Sequence, residues 1–197
     1  MVNIITRTHN RPNYFRNCRE SIVNQTYSNI NHIVGSDVLC DYYSDYIKVD
    51  EELVDKKPDY LATYPAPWNL YLNKLNNYVT DGWIMYLDDD DMFVDNDSLS
   101  NIVKCIEHDD ELIIWRVDID GRIVPSDDNI GKIVAGDISG IGFMFHSKHL
   151  PVKWTSWNYG DYRVINELSH KLDVKFIKHV FTKTQGKPNN GKKPIDI

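Results

Sequence analysis

The sequence predicts an α/β fold with a mainly parallel central sheet flanked by helices and a mixed second half. Three observations predict it. Roughly the first ninety residues alternate strand and helix patterns, the order that right-handed βαβ crossovers produce. The stretch Trp83-Ile84-Met85-Tyr86-Leu87 is apolar at every position, as a strand covered on both faces must be. The second half instead carries a hairpin signal, Asp120-Gly121, between two strand patterns.

Each element has its own signal. Val2 to Thr6 is a short, mostly apolar first strand. Pro12 suits the first turn of a helix, with Asn10 nearby as a cap. Phe15, Cys18, Ile22 and Val23 then fall on one helical face that runs to about Gln25. His32-Ile33-Val34 forms a second strand leading into Gly35-Ser36-Asp37. Between Val38 and Asp59 only Tyr46-Ile47-Lys48-Val49 suggests a strand. After the turn Tyr64-Pro65-Ala66-Pro67, the spacing of Trp68, Leu72, Leu75 and Val79 predicts an amphipathic helix that Gly82 ends.

Beyond the strand Trp83–Leu87, a helix carries Leu99, Ile102, Val103 and Ile106 on one face. Glu111–Asp118 and Arg122–Val124 form the predicted hairpin, and Gly140–Phe145 another strand. Val164, Ile165, Leu168 and Leu172 mark a last helix, and Val174–Ile177 a last strand. From Thr182 onward the chain is polar and rich in Gly, Pro, Asn and Lys, which predicts a flexible tail over 182–197. Glycines at 186 and 191 would let its Lys183–Lys193 stretch close as a lid.

Composition narrows the function. At 197 residues, 42% hydrophobic and 26% charged, the chain suits a single packed domain. Acidic residues outnumber basic ones, 29 to 22, for a net charge of −7. That balance argues against a nucleic-acid partner, whose phosphates must be neutralised by lysine and arginine. It leaves room for a small phosphorylated ligand held through a metal ion. The three cysteines are widely spaced without a CxxC pair, which fits a reducing compartment and a cytoplasmic location. No secretory signal opens the sequence, and no apolar run approaches the ~20 residues of a membrane span.

Asp88-Asp89-Asp90-Asp91 directly after the apolar strand is the most informative feature. Two carboxylates ~4 Å apart repel by about 4 kcal/mol at an effective dielectric of about 20. Four in succession therefore need a cation or must splay into water. In an extended chain Asp88 and Asp90 would point one way and Asp89 and Asp91 the other. Hard oxygen ligands suit Mg²⁺ or Mn²⁺, and open α/β sheets bind ligands beyond the C-terminal strand ends. An EF-hand is disfavoured, because Phe93 stands where its loop needs glycine.

An ordered set of motifs resembles the GT-A fold glycosyltransferases, in particular glycosyltransferase family 2. The motifs are Ile5-Thr6-Arg7-Thr8-His9-Asn10-Arg11-Pro12, Ser21-Ile22-Val23-Asn24-Gln25-Thr26-Tyr27, Tyr86-Leu87-Asp88-Asp89-Asp90-Asp91, Ser139-Gly140-Ile141-Gly142-Phe143-Met144-Phe145 and Gly160-Asp161-Tyr162. The resemblance implies a GT-A domain over 1–197, with a nucleotide-binding half at 1–91 and an acceptor-side half at 92–181. It implies nucleotide contacts from Thr6, Thr8, Arg11 and Asp37, and donor contacts from Asp88 and Asp89. It further implies metal ligation by Asp90 and Asp91, and a catalytic base at Asp161. The implied activity is metal-dependent, inverting transfer from a nucleotide-diphosphate sugar to a hydroxyl of a saccharide or other acceptor. UDP is the default nucleotide; GDP and dTDP stay open. Two departures stand out. Gly35-Ser36-Asp37 replaces the family's paired aspartates followed by Gly-Ser, and Gly160 replaces a usual glutamate.

Trp154, Trp157 and Tyr159 are candidates for an acceptor pocket, and His146 and His179 for a third metal ligand. Aspartate before a helix is also a common N-cap, so Asp161 has a structural reading beside the catalytic one. The alternatives are a sugar-phosphate nucleotidyltransferase, disfavoured by the lack of glycine before Gly35, and a non-catalytic nucleotide- or saccharide-binding module. A partner domain or homo-oligomer could complete acceptor binding.

Overall fold

The computed structural model describes residues 1–50 and 54–186. The central sheet has nine strands: β1 (Val2–Thr8), β2 (Ile30–Ser36), β3 (Ile47–Lys48), β4 (Trp83–Tyr86), β5 (Asp91–Phe93), β6 (Glu111–Ile119), β7 (Arg122–Val124), β8 (Phe143–His146) and β9 (Asp173–Thr184). Their order is β3-β2-β1-β4-β8-β6-β9-β5, with β7 beside β6. Pairing is parallel from β3 through β4 and between β6 and β9. It is antiparallel where β8, β7 and β5 insert.

Among the described residues four α-helices cover the sheet: α1 (Pro12–Val23), α2 (Leu70–Asn76), α3 (Ser98–Val103) and α4 (Gly160–Ser169). Strand alternation sends successive side chains to opposite faces. Ile4, Met85, Ile113, Trp115 and Met144 pack on one face with Cys18 and Ile22 of α1 and Leu99 and Ile102 of α3. Ile5, Ile84, Tyr86, Leu112, Ile114, Phe143 and Phe145 pack on the other with Leu72 and Leu75 of α2 and Val164, Ile165 and Leu168 of α4. Two buried faces explain why β4 shows no polar alternation. Gly35 in β2 lets α2 lie close, because a Cβ there would come within 2.7 Å of Leu75 Cδ1.

The predicted elements are all present, with shifted ends. Val23 is 60% exposed and lies off the buried face of α1. Asn10 does not cap α1; it takes a left-handed turn (φ 47°) while Arg11 holds the N-cap position. The hairpin turn forms as expected, with Asp120 and Gly121 both at positive φ. β9 runs seven residues past the predicted end of the last strand, to Thr184, because β6 pairs with it as far as Lys183 and β5 pairs with its final residues. Residues 182–184 of the predicted tail therefore belong to the sheet. Residues 187–197, which carry most of the expected lid, lie outside the described residues.

Candidate functional site

The acidic run sits where β4 ends. It does not continue as an extended strand. A turn forms in which the Asp91 amide donates to the Asp88 carbonyl at 3.0 Å, and the chain then reverses into β5. The turn gathers oxygens of Asp88, Asp90 and Asp91 to within 4.8 Å of one another. Asp89 is turned away and is fully buried, its carboxylate ion-paired with Arg11. The second Arg11 amino group lies 3.6 Å from Asp90.

Arg7 holds the outermost acid. Its Nε donates to Asp88 Oδ1 at 2.8 Å and Nη2 pairs with Oδ2, while Nη1 donates to Asn69 Oδ1 at 3.0 Å. Burial opposes the guanidinium charge, but Asp88, with Asp89 and Asp91 behind it, outweighs that and raises its pKa. Asp91 is shifted upward too, and for a carboxyl that disfavours the charged form. Burial, together with the charges of Asp88 and Asp89, pushes its carboxyl well above the usual range. Three hard oxygen donors with this much mutual repulsion fit a divalent cation such as Mg²⁺ or Mn²⁺.

Gln185, just past β9, clasps the turn from outside. Its Nε2 donates to the carbonyls of Tyr14 and Asp89, both at 2.9 Å, and its backbone amide to that of Asp90 at 2.8 Å.

A cavity of about 320 Å³ opens beside the acids, on the sheet face covered by α2 and α4. Asp88, Asp90, Asp91 and Arg7 form one wall, and Ser139, Gly140, Gly160 and Asp161 another. Asp161 is the second residue of α4, whose N-cap is Tyr159, so it does not itself cap the helix. Its Oδ1 accepts from the Tyr162 amide at 2.8 Å and its Oδ2 from the Gly140 amide at 3.1 Å. Burial raises its pKa, and those two amides oppose the rise.

Asn69 joins the walls. It accepts from Arg7 and donates to the carbonyls of Thr155 (3.3 Å) and Trp157 (3.1 Å). Gly160 makes room for it: a Cβ there would stand 2.8 Å from Asn69 Nδ2.

The structure therefore brings Asp88, Asp90, Asp91 and Asp161 to one cavity. Thr6, Thr8, Arg11, Asp37 and Asp89 do not line it. For Thr6 and Thr8 strand alternation is the reason, since it turns Arg7 to the cavity face and those two away. The Thr6 hydroxyl is buried between the Leu87 carbonyl and His32 Nε2. Thr8 bonds the Tyr42 hydroxyl at 2.8 Å, and Asp37 bonds His9 and the Tyr71 hydroxyl. Of the aromatic candidates, Trp154 and Tyr159 line the cavity, whereas Trp157 donates from Nε1 to the Asp55 carbonyl. His146 pairs in register with Trp83, at the opposite end of β4 from the acids. His179 packs at a tilt against Phe181 in β9, with ring centroids 4.7 Å apart. Neither joins a group of potential ligands among the described residues.

Sequence reasoning missed Arg7, Asn69 and Gln185. Alternation along Ile5-Thr6-Arg7 could have found Arg7. Nothing local marks the other two.

No family model and no curated protein matches the sequence. Solved structures do. TarS of S. aureus superposes with TM-score 0.70 at 12% identity, over 94% of this chain and 36% of that one. Its 1–349 form in complex with UDP-GlcNAc superposes with TM-score 0.61 at 12% identity, over 98% of this chain and 60% of that one. The mannosyltransferase PcManGT from Pyrobaculum calidifontis, in complex with GDP-Man and Mn²⁺, gives TM-score 0.64 at 15% identity, over 96% and 58%. This chain thus spans between 36% and 60% of the length of these structures. The curled sheet with its helical layers, ending in an acidic turn beside a cavity, has the GT-A glycosyltransferase fold.

Proposed function

We propose that this chain is a metal-dependent, inverting glycosyltransferase that moves a sugar from a nucleotide-diphosphate sugar, a UDP-sugar by default, to a hydroxyl of a glycan-type acceptor. One observation carries the reading: three mutually repelling carboxylates and a separate, partly desolvated carboxylate line the same cavity. The complexes of structural neighbours with UDP-GlcNAc and with GDP-Man and Mn²⁺ support it.

Asp88, Asp90 and Asp91 would hold the cation, Mn²⁺ or Mg²⁺. When bound, it offsets the charge that develops on the departing diphosphate. Arg7 fixes Asp88 for that task, and Arg11, paired with the buried Asp89, does the same for Asp90. Asp161 is the base. It takes the proton of the acceptor hydroxyl as the oxygen attacks the anomeric carbon opposite the leaving nucleotide, which inverts that carbon. Asp37 and Thr8, at the C-terminal ends of β2 and β1, are the nucleotide-side candidates. Thr6, Arg11 and Asp89 position the turn. The three free thiols, Cys18, Cys40 and Cys105, suit a reducing cytoplasm.

The test is a panel of UDP-, GDP- and dTDP-sugars, each with Mn²⁺, with Mg²⁺ and with EDTA, read by thermal shift and by sugar release. A ligand that binds only the native state raises the melting point by mass action. Stabilisation and release by one nucleotide sugar, both lost with EDTA, are expected. Stabilisation without release supports the non-catalytic binding module instead, and release of pyrophosphate from a sugar phosphate plus nucleoside triphosphate supports the nucleotidyltransferase.

A further inference from the structure

The mouth of the cavity is built from aromatic rings that the fold goes out of its way to expose. Tyr64, Trp68 and Tyr159 line it and remain 58%, 49% and 37% exposed. Exposed large aromatics gathered at one opening mark a binding surface.

Two chain segments hold these rings. Residues 63–66 and 156–158 form a short ladder, with Ala66 N donating to the Ser156 carbonyl at 2.7 Å and Asn158 N to the Tyr64 carbonyl at 3.2 Å. Asn158 Oδ1 accepts from the Thr63 and Tyr64 amides at 2.8 and 3.3 Å. Arg163 of α4 pins the arrangement through a two-point contact with Asp59, at 2.7 and 2.8 Å.

Tyr159 is held at a backbone cost. Its φ of 60° and ψ of 28° are left-handed, a strained region that bulky residues rarely enter. Its ring lies over Gly136, where a Cβ would be 3.5 Å from Tyr159 Cε1. Glycine at 159 would relieve the strain, so the ring itself accounts for keeping tyrosine there.

Charge decides what can lie on this rim. Among the described residues lining the cavity, Arg7 is the one basic side chain, and it is committed to Asp88. Arg122, which reaches the Gly136 carbonyl near Tyr159, is paired with Asp137. Opposite them stand Asp88, Asp90, Asp91 and Asp161. Even a bound dication leaves the cavity without surplus positive charge for an anionic acceptor. An uncharged sugar ring offers an apolar C–H face to the aromatics and hydroxyls to the carboxylates.

We infer that Tyr64, Trp68 and Tyr159 form the acceptor subsite and select an uncharged pyranose, stacked on the rings, over phosphorylated or carboxylated acceptors. This rests on the transferase reading above.

The test separates the two. Saturation-transfer NMR on the full chain uses maltose, cellobiose, lactose and N,N′-diacetylchitobiose as neutral probes, and glucose 6-phosphate and glucuronic acid as anionic ones. Thermal shift with UDP and Mn²⁺ runs in parallel. At least one neutral disaccharide is expected to show transfer to its ring C–H protons, with an affinity at least fivefold tighter than either anionic probe. Trp68→Ala and Tyr159→Gly are expected to weaken that binding at least fivefold while keeping the UDP–Mn²⁺ shift, and Tyr159→Gly to melt no lower than the parent. Tighter binding of an anionic probe, no binding of any neutral probe, or unchanged affinity in both variants overturns the inference. Loss of the UDP–Mn²⁺ shift in the parent chain, with saccharide binding intact, overturns the transferase reading and leaves the subsite standing.

Discussion

Asn69 occupies the space that a side chain at Gly160 would fill: a Cβ on residue 160 would lie 2.8 Å from Asn69 Nδ2. The amide cannot step aside, because Arg7, Thr155 and Trp157 hold it. The glycine at 160 and the asparagine at 69 thus act together to tie the Arg7–Asp88 pair to the start of α4.

Gly160→Ala should therefore destabilise the fold by about 1–3 kcal/mol, the usual cost of overpacking a filled site. Adding Asn69→Ala should recover part of that loss, although the lost hydrogen bonds remain. Denaturant unfolding of the two single variants and the double variant gives the coupling. Additive losses would show that the two residues do not compete for this space.

Asp91 should report the repulsion in the acidic turn. Its carboxyl is pushed well above its usual range by burial and by Asp88 and Asp89, so its charge is unfavourable in the metal-free fold. Asp91→Asn should raise the melting point without metal and abolish the extra stabilisation by Mn²⁺ with UDP. Calorimetry with and without Mn²⁺ checks both signs.

Gln185→Ala should weaken the Mn²⁺ response although residue 185 offers no ligand. It leaves the Asp89 carbonyl without this donor, which costs about 1–3 kcal/mol where such a group stays buried, and removes the second bond to the helical Tyr14 carbonyl. Gln185→Glu, which swaps the donor for an acceptor facing those carbonyls, should be worse than alanine. Mn²⁺ titration followed by electron paramagnetic resonance ranks the three proteins.

Asp161→Asn should keep nucleotide-sugar binding and lower turnover about 10²–10⁴-fold, the usual contribution of a general base. Burial raises the Asp161 pKa, and the base acts deprotonated. Activity should accordingly fall on acidification at a pH above the ordinary carboxylate range and be flat above it. A pH–rate profile of kcat/KM shows the limb; wild-type turnover in Asp161→Asn would remove it from the mechanism.

His32 should shape stability against pH. Burial, aided by Arg19, lowers its pKa from 6.5 to about 3. Between those values the unfolded chain binds the proton and the folded chain does not, so stability rises with pH through that window and levels off above it. Moving from pH 7 to pH 5 should cost up to about 2 kcal/mol from this group, at 1.36 kcal/mol per pH unit. His32→Gln should flatten the slope in urea unfolding measured at several pH values.

Much of this protein was legible in one dimension. Periodicity placed the elements, because burial of one helix face or two strand faces writes itself directly into residue order. The uniformly apolar β4 announced a doubly covered sheet, and the acids after it marked the turn where three carboxylates converge on the cavity. Asp161 was reachable through its motif. The positions of Val23 and Asn10 were not, since the exact end of a helix depends on what packs beyond it.

Other features came only from three-dimensional contact. Which acids converge depended on the turn closed by Asp91 N and Asp88 O, and that turn buries Asp89 on Arg11 while bringing Asp88 beside Asp90 and Asp91. Asn69 and Gln185 reach the site from residues 62 and 94–96 positions away from their polar partners there. Local order fixes which face a residue takes, because backbone geometry has a short repeat. Which distant residue meets it is decided by packing, and no repeat encodes that.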